Sequence, residues 1–318
     1  MAQNRSYGLQ FDENFGIDLA LKFQFFYGFV VLPIHPISIF VLIRYSRGLS
    51  NVLRAGYLVN QVQMLLHDLW TCFLFRAYPL LPYPIFYCEG LFCKANPSMS
   101  MMIEIFFMIH AISLLLFMLM NTHQQILPAS SSFRFSPTVR ISFVVIIYIA
   151  LWSNGVAAII FRENVENAAE IIRSNNLQWL YKRPGGLLVY GGENAMGDFG
   201  YEAYTIILSI ALIAPARAFL VGTSVGYLKR QNLIGSRTMV LKKRVISALI
   251  LQTAIVSFLY VYPLLLTILM MRFSVAFLPD FLLIPIRFLV IPLSMLNSLA
   301  QFYVQIRKNT MFHQIIVS

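Results

Sequence analysis

The sequence has 318 residues, of which 58% are apolar, 14% are aromatic and only 12% are charged. A soluble domain of average composition carries roughly 25% charged and 45–50% apolar residues, so a water-exposed protein could not hide this much apolar surface. The aromatic content also excludes intrinsic disorder, which goes with few aromatic residues and many charges. The composition therefore predicts an integral membrane protein.

The net charge of +11 does not indicate a nucleic-acid partner. Nucleic-acid-binding proteins concentrate lysine and arginine on one polar face or arm, whereas here these residues lie in short islands between long apolar runs. That distribution is typical of membrane topology. Residues 1–22 are polar and lack the early apolar segment of a cleaved signal peptide, so the first apolar run is expected to act as an uncleaved insertion signal.

Seven apolar runs are long enough for a helix to cross about 30 Å of hydrocarbon, which takes about 20 residues. Pro215 and Arg217 interrupt the fifth run. The predicted spans cover residues 23–43, 55–75, 98–120, 141–161, 204–227, 245–271 and 281–306. The sequence therefore predicts an all-α membrane protein, a seven-transmembrane helix bundle with an extracellular segment at 1–22 and a short cytoplasmic tail at 307–318.

The charges in the loops predict the side of the membrane on which each terminus lies. With the N-terminus outside, the inner segments hold 13 basic residues and no acid, while the outer segments hold nine basic and eleven acidic residues. Lysine and arginine near span ends are retained in the cytoplasm, so this distribution favours an outer N-terminus and an inner C-terminus. The same orientation places the N-glycosylation motif at Asn4 outside.

The three cysteines are too few for a disulfide framework. Cys88 and Cys93 lie in the proline-rich outer segment 77–97, where they form a bridge in an oxidising setting or stay as two free thiols. The sequence does not choose between these alternatives. No cysteine follows Cys93, so the large outer loop 162–203 cannot be joined to the third span by a disulfide.

Ionisable side chains inside the predicted spans are costly in lipid and are therefore candidates for pairing or for ligand binding. Asp68 lies on a polar stripe of the second span and is either a cation site or, as we favour, a hydrogen-bonded structural carboxyl. Glu104 and Arg287 lie at similar depths, about 9 Å from the outer ends of their spans. Three alternatives follow for these two residues: they pair with each other, they anchor a ligand together, or each extends separately to the outer interface. His110 is more often a hydrogen-bonded core histidine than a ligand contact, and Arg217 is expected to reach a buried acceptor or the inner interface.

No catalytic or metal-binding set is recognisable in the sequence. It has no HExxH motif, no cysteine–histidine metal spacing and no glycine-rich loop that opens a phosphate-binding helix. A histidine–carboxylate cluster along facing helices is not predicted either, because the neighbours His67 and Asp68 diverge by about 100° on a helix. We therefore expect neither an enzyme nor a bound cofactor or metal.

Five stretches carry a similarity to a known family, at 36–47, 79–91, 177–190, 241–252 and the dipeptide His123-Gln124. Together they resemble the nematode chemoreceptors of serpentine receptor classes H and I, which are seven-transmembrane G-protein-coupled receptors. The chain departs from that pattern at Thr122, where these classes usually have a basic residue. The resemblance implies an extracellular odorant or peptide ligand, a heterotrimeric G protein at the inner face, and a plasma-membrane location such as a sensory cilium.

The inner face offers candidate contacts for a G protein at His123, Gln124, Lys242, Lys243 and Arg244. The three basic residues also suit acidic lipid headgroups, although membrane topology alone explains them. The alternative function is a small membrane transporter or channel subunit. Transporters commonly show internal repeats, and we find none in this sequence.

Overall fold

The computed structural model describes residues 13–45, 50–81, 83–128, 130–160, 165–190, 195–230, 246–247, 249–255, 257–258 and 262–273. Its helices are α1 (Glu13–Val31), α2 (Ile34–Tyr45), α3 (Asn51–Leu69), α4 (Pro97–Ile126), α5 (Pro137–Ile160), α6 (Val165–Ser174), α7 (Ala195–Arg230) and α8 (Tyr262–Phe273). A π-helical turn, Trp70–Leu74, extends α3, and a 3-10 turn occupies Gln178–Lys182. The strands are β1 (Arg76–Pro79), β2 (Ile85–Glu89) and β3 (Gly186–Val189).

Within these residues, four helical stretches are long and apolar enough to cross a membrane, namely Asn14–Arg44, Pro97–Ile126, Pro137–Ala157 and Tyr204–Lys229. They coincide with the first, third, fourth and fifth predicted spans. The second predicted span is α3 with its π-helical turn, and its polar stripe is buried at Asn60, Gln61, Gln63, His67 and Asp68. Residues 249–255 and α8 fall in the sixth predicted span, and the seventh predicted span lies outside the described residues.

The main core forms around α4, which packs against α3, α5 and α7. Leu115, Leu116, Met118 and Leu119 of α4 are almost completely buried there. Apolar side chains occur around most of the circumference of α4, as expected for a helix that protein surrounds. Polar residues on α4 therefore point at neighbouring helices or at enclosed space.

The first helix begins at Glu13, ten residues before the predicted first span. Ile17, Ala20 and Leu21 follow a helical spacing and are buried in a cluster with Tyr78 and Tyr87 of the strands. This apolar stripe is stabilised by the sheet, so α1 extends beyond the predicted span. A turn at Leu32-Pro33 separates α1 from α2 within the first predicted span, as expected where a proline interrupts a helix.

A three-stranded antiparallel sheet of order β1-β2-β3 covers one end of the bundle, hereafter the sheet end. The sequence does not predict these strands. Cys88 of β2 forms a disulfide with Cys93, just before α4. A Cβ atom at Gly186 of β3 would lie 2.9 Å from the Sγ of Cys93 and 3.0 Å from Pro97. Strand pairing and this close approach thus dock β3 onto the start of α4, without a disulfide between them.

The fifth predicted span is one continuous helix, because α7 continues through Pro215, where the apolar run is interrupted. A proline inside a membrane helix is tolerated where neighbouring groups accommodate the freed backbone carbonyl. Arg217, two residues later, is buried. The continuous helix places this arginine in the middle of the candidate span Tyr204–Lys229.

Candidate functional site

A cavity of about 650 Å³ lies directly below the sheet and is lined by residues of α3, α4, α5, α7 and α8 and of the ranges 249–255 and 257–258. Its volume is within the range of pockets that hold small organic ligands. Phe86 of β2 and Tyr190, which follows β3, line the cavity at the sheet end. Arg217 and Val221 line its other end, hereafter the deep end. The cavity therefore extends from the sheet to about the middle of the bundle.

Apolar side chains form most of the cavity wall, for example Met108, Ile109, Leu151 and Ile213. Burial of apolar ligand surface against such a wall is favourable by roughly 25 cal/mol per Å². Besides two tyrosines, ten polar or charged residues line the described cavity: Gln24, His67, Thr71, Glu104, Asn154, Ser209, Arg217, Thr253, Ser257 and Thr267. Such groups would orient a ligand within a largely apolar space.

A histidine and a carboxylate meet toward the sheet end of the cavity. His67 of α3 and Glu104 of α4 both line it, and the His67 Nε2 lies 2.9 Å from the Glu104 Oε1. The pair links α3 to α4 inside the membrane span. Arg287, the partner predicted for Glu104, lies outside the described residues, so that pair stays a prediction.

An amide and a hydroxyl meet on the opposite wall. Asn154 of α5 donates from its Nδ2 to the Oγ of Ser209 on α7 at 2.9 Å, and both residues line the cavity. The Oδ1 of Asn154 is buried without a hydrogen-bond partner among the described residues. No motif marks either residue in the sequence, although Asn154 is the one amide in the fourth predicted span.

The deep end contains a buried cation. Arg217 is only 6% exposed, and its Nη2 donates to the backbone oxygen of Ile112 on α4 at 3.0 Å. This is the buried acceptor that the sequence predicts as one alternative. The Nε of Arg217 is buried with no hydrogen-bond partner in the described part of the chain. A charge at the centre of a membrane helix costs about 2.5–3.5 kcal/mol, and such residues usually serve a function.

Asp68 is not among the described residues that line the cavity. Its Oδ2 lies 2.6 Å from the Nε2 of His35 on α2, and both side chains are buried. The Nε2 of Gln61 lies 2.7 Å from the other ring nitrogen of His35. These contacts match the structural carboxyl that the sequence favours. His35 and His67 show that histidine–carboxylate pairs do form between facing helices, contrary to the sequence-based expectation.

His110 also lies outside the described cavity wall. Its ring stacks on Phe106 with centroids 5.9 Å apart and meets the edge of Tyr148 at 6.2 Å. This aromatic packing between α4 and α5 gives His110 a place in the helix interface. The structure therefore does not bring His110 together with Glu104 in one site.

A cluster of charged residues fastens the sheet to α1. Arg183 donates to Asp18 of α1, and its Nη2 lies 3.8 Å from the Oε1 of Glu89. Arg76 of β1 approaches the other Glu89 oxygen at 3.6 Å. Burial and a hydrogen bond to Glu89 raise the pKa of Tyr87 to about 12, so its hydroxyl stays protonated at neutral pH and donates to Glu89 at 2.7 Å. The sheet that lines one end of the cavity is thus held in place by several polar contacts.

At the far end of α4, two residues that carry the family resemblance hold a loop in place. His123 and Gln124 are buried, and the His123 Nε2 lies 2.8 Å from the Oγ1 of Thr223 on α7. Gln124 donates to the backbone oxygen of Phe133 at 3.0 Å and accepts from the backbone nitrogen of Phe135 at 2.8 Å. These two side chains therefore hold α7 and the loop between α4 and α5 in place. Because both are buried, they are not accessible to a G protein in this structure.

Residues 222–226 match the Gly-x-Ser-x-Gly pattern of serine hydrolases, but they lie within α7. A catalytic serine of that type needs a sharp turn between a strand and a helix, and Ser224 is completely buried. In the described ranges, no group of three or more histidine, cysteine or acidic residues could hold a metal ion. The cavity is therefore the feature that best supports a functional site.

The family model for serpentine-type seven-transmembrane G-protein-coupled chemoreceptors of the Srh type matches residues 20–284. The match covers far more than half of the chain and includes the cavity walls, the sheet and the histidine–carboxylate pairs. The chain belongs to the Srh family of chemoreceptors. No curated protein matches the sequence.

Membership of the Srh family confirms the predicted resemblance and the seven-transmembrane helical bundle. Srh proteins are receptors, so this chain is not an enzyme. Several predicted site residues of this Srh receptor lie outside the described residues: Asn4, Lys242, Lys243, Arg244 and Arg287. Their predicted roles stay predictions.

Proposed function

We propose that this Srh receptor binds a small extracellular molecule in the cavity below the sheet and signals through a heterotrimeric G protein. The cavity is the observation that carries the proposal. Its wall is largely apolar, and polar side chains on several helices line it as well. Its volume of about 650 Å³ favours a small molecule over a peptide.

The proposal places the N-terminus and the sheet outside the cell and the C-terminus in the cytoplasm. The asymmetry of lysine and arginine in the loops supports this orientation. A disulfide between Cys88 and Cys93 also suits an oxidising extracellular compartment. The receptor then lies in the plasma membrane, with the loop held by Gln124 on the cytoplasmic side.

This orientation predicts that a tag after Ser318 is protected from an impermeant reagent on intact cells and becomes reactive after permeabilisation. The same cells should carry an N-linked glycan that is lost in an Asn4→Gln variant. The position of the tag is measured by labelling, and the glycan is measured by the change in electrophoretic mobility after glycosidase treatment. Labelling of the tag on intact cells would reverse the orientation and remove the G-protein proposal.

In the proposed mechanism, a ligand shifts the helix packing only by the difference between its affinities for two arrangements. Helices α4 and α7 both line the cavity, and both contact the loop held by Gln124, α7 through the hydroxyl of Tyr227, which lies 3.3 Å from the Oγ of Ser131. They give a direct mechanical route from ligand to the cytoplasmic face. The basic residues Lys242, Lys243 and Arg244 are proposed to contact the G protein and acidic lipid headgroups there.

The function is tested by expressing the receptor with a promiscuous G protein and applying a panel of small volatile and water-soluble compounds. Ala254 lines the cavity, and an Ala254→Trp variant should raise the concentration for half-maximal response by about tenfold or more, because overpacking costs roughly 1–3 kcal/mol. Ala211 is exposed on α7 and is not among the described cavity residues. An Ala211→Trp variant is therefore the matched control and should respond normally.

Two results would contradict this proposal. An equal effect of both tryptophan variants would mean that the cavity is not the binding site. Substrate flux in vesicles of purified protein, without any G protein, would instead support the transporter or channel alternative.

A further inference from the structure

We infer that the ligand of this cavity is an amphipathic acid, with an apolar body along the cavity wall and a carboxylate that pairs with Arg217. This inference rests on the proposed function and specifies the chemical class of the ligand. It is carried by the position of Arg217, the availability of its guanidinium and the distribution of charge along the cavity.

Arg217 is a buried cation whose charge is not balanced in the described part of the chain. None of the ion pairs formed by the described residues involves Arg217. The sequence has 13 acidic residues, and only Asp68 and Glu104 lie within the predicted spans. These two carboxylates contact His35 and His67, respectively. A negatively charged ligand would therefore balance the positive charge of Arg217.

The guanidinium retains donors for such a partner. Its Nη2 already donates to the backbone oxygen of Ile112, which fixes the side chain against α4. Its Nε is buried without a hydrogen-bond partner among the described residues, and Arg217 lines the cavity. A carboxylate can take two parallel hydrogen bonds from a guanidinium, which gives both strength and orientation. Arg217 is thus prepared to bind the acidic end of a ligand.

The charges along the cavity fix the direction in which an acid would bind. Glu104 lines the cavity, two helical turns before Ile112 on α4, so the two positions are about 12 Å apart along the helix. A carboxylate near Glu104 would be repelled, whereas one near Arg217 would be attracted. The ligand's apolar body then fills the space between them, against Met108, Ile109 and Ile213.

The test uses full-length receptor purified in detergent and three series of probes with the same carbon skeletons. Hexanoic, octanoic and decanoic acids are compared with their methyl esters and with the corresponding primary amines, and binding is read as a rise in melting temperature. At least one acid should stabilise the receptor more than its ester and its amine. Arg217→Gln should weaken binding of that acid by about 10- to 100-fold and remove its advantage over the ester.

Arg54→Gln is the matched control. The Nη2 of Arg54 also donates to a backbone oxygen at 3.0 Å, that of Ile43, but Arg54 is outside the cavity. This variant should bind acids as wild type does. Arg217→Lys keeps the charge without the forked geometry and should bind acids with intermediate affinity, which separates ligand binding from a purely structural role if Arg217→Gln does not fold.

The inference is overturned if no acid stabilises the wild-type receptor more than its ester, or if Arg217→Lys and Arg217→Gln keep the full preference for acids. Nucleotide exchange on a G protein is measured separately in membranes. Acid binding without exchange would contradict the signalling proposal alone. Exchange evoked by esters or amines but not by acids would contradict the ligand class and leave the receptor function intact.

Discussion

Replacing Asp68 with leucine should lower the free energy of unfolding by about 3–5 kcal/mol, the usual cost of removing one partner from a buried charged pair. The Nε2 of His35 lies 2.6 Å from the Asp68 carboxylate, and His35 is completely buried. Without the carboxylate, the His35 ring would face an apolar side chain inside the bundle. We expect a lower melting temperature and little receptor at the cell surface.

The measurement is unfolding of purified receptor by heat and by sodium dodecyl sulfate, followed by tryptophan fluorescence. Asp68→Asn keeps an acceptor for His35 and should cost less than Asp68→Leu. The double variant His35→Leu/Asp68→Leu should recover part of the stability lost in Asp68→Leu, because two apolar residues can replace a buried pair of similar volume. Leucine at Glu166, which is exposed on α6, is the control for loss of a carboxylate.

Additive losses in the double variant would show that Asp68 and His35 do not stabilise each other. A cation-dependent response that persists in Asp68→Asn would argue against the alternative that Asp68 is a cation site. A cation site should lose its ligand when the carboxylate loses its charge. A structural pair should change stability and surface expression while the ligand preference stays the same.

The helical spans could be predicted from the sequence because membrane insertion depends on apolar surface summed over about 20 residues. The three strands could not be predicted in the same way. They are four or five residues long, and while β1 and β2 pair across a short turn, the register of β3 depends on pairing with a segment about 100 residues away, with Leu187 opposite Tyr87. The early start of α1 has the same origin, since Ile17 and Leu21 are buried in a cluster with residues of the sheet and with Ile172, Leu177 and Leu180.

The polar stripe of α3 was predictable because its residues share one face of a helix. The partners on that face were not. Arg76 lies two turns beyond Asp68 in sequence, yet it contacts Glu89 in the sheet, while Asp68 contacts His35. Local spacing shows which side chains need partners, and only the packing of helices shows which partners they meet.

The sequence also shows that Arg217 must find an acceptor, but not that it faces a cavity. Its contact with Ile112 brings together residues 105 positions apart. The same limit applies to Asn154 and Ser209, which meet across two helices. The candidate site is formed by such distant contacts, so its residues emerge from the fold and not from a motif.

Replacing Gln124 with leucine should release the loop between α4 and α5 and raise the rate of trypsin cleavage after Arg134 by about tenfold or more. Gln124 holds the backbone oxygen of Phe133 and the backbone nitrogen of Phe135, on either side of Arg134. Each buried polar group left without a partner costs about 1–3 kcal/mol. The loss of both hydrogen bonds therefore favours an open loop, in which the exposed Arg134 becomes a flexible substrate.

The neighbouring Gln125 supplies a matched control, because its side chain is exposed and donates to the Oγ of Ser50 at 3.2 Å. Gln125→Leu removes an amide of the same size one residue away and should leave the cleavage rate nearly unchanged. Equal cleavage of the two variants would show that Gln124 does not hold the loop. Gln124→Leu should also weaken ligand-evoked nucleotide exchange while binding to the cavity is preserved, since the loop lies at the end of α4 remote from the sheet and the cavity. A loss of binding together with exchange would instead mean that the change spreads through α4, and the loop would not be a separate part of the signalling route.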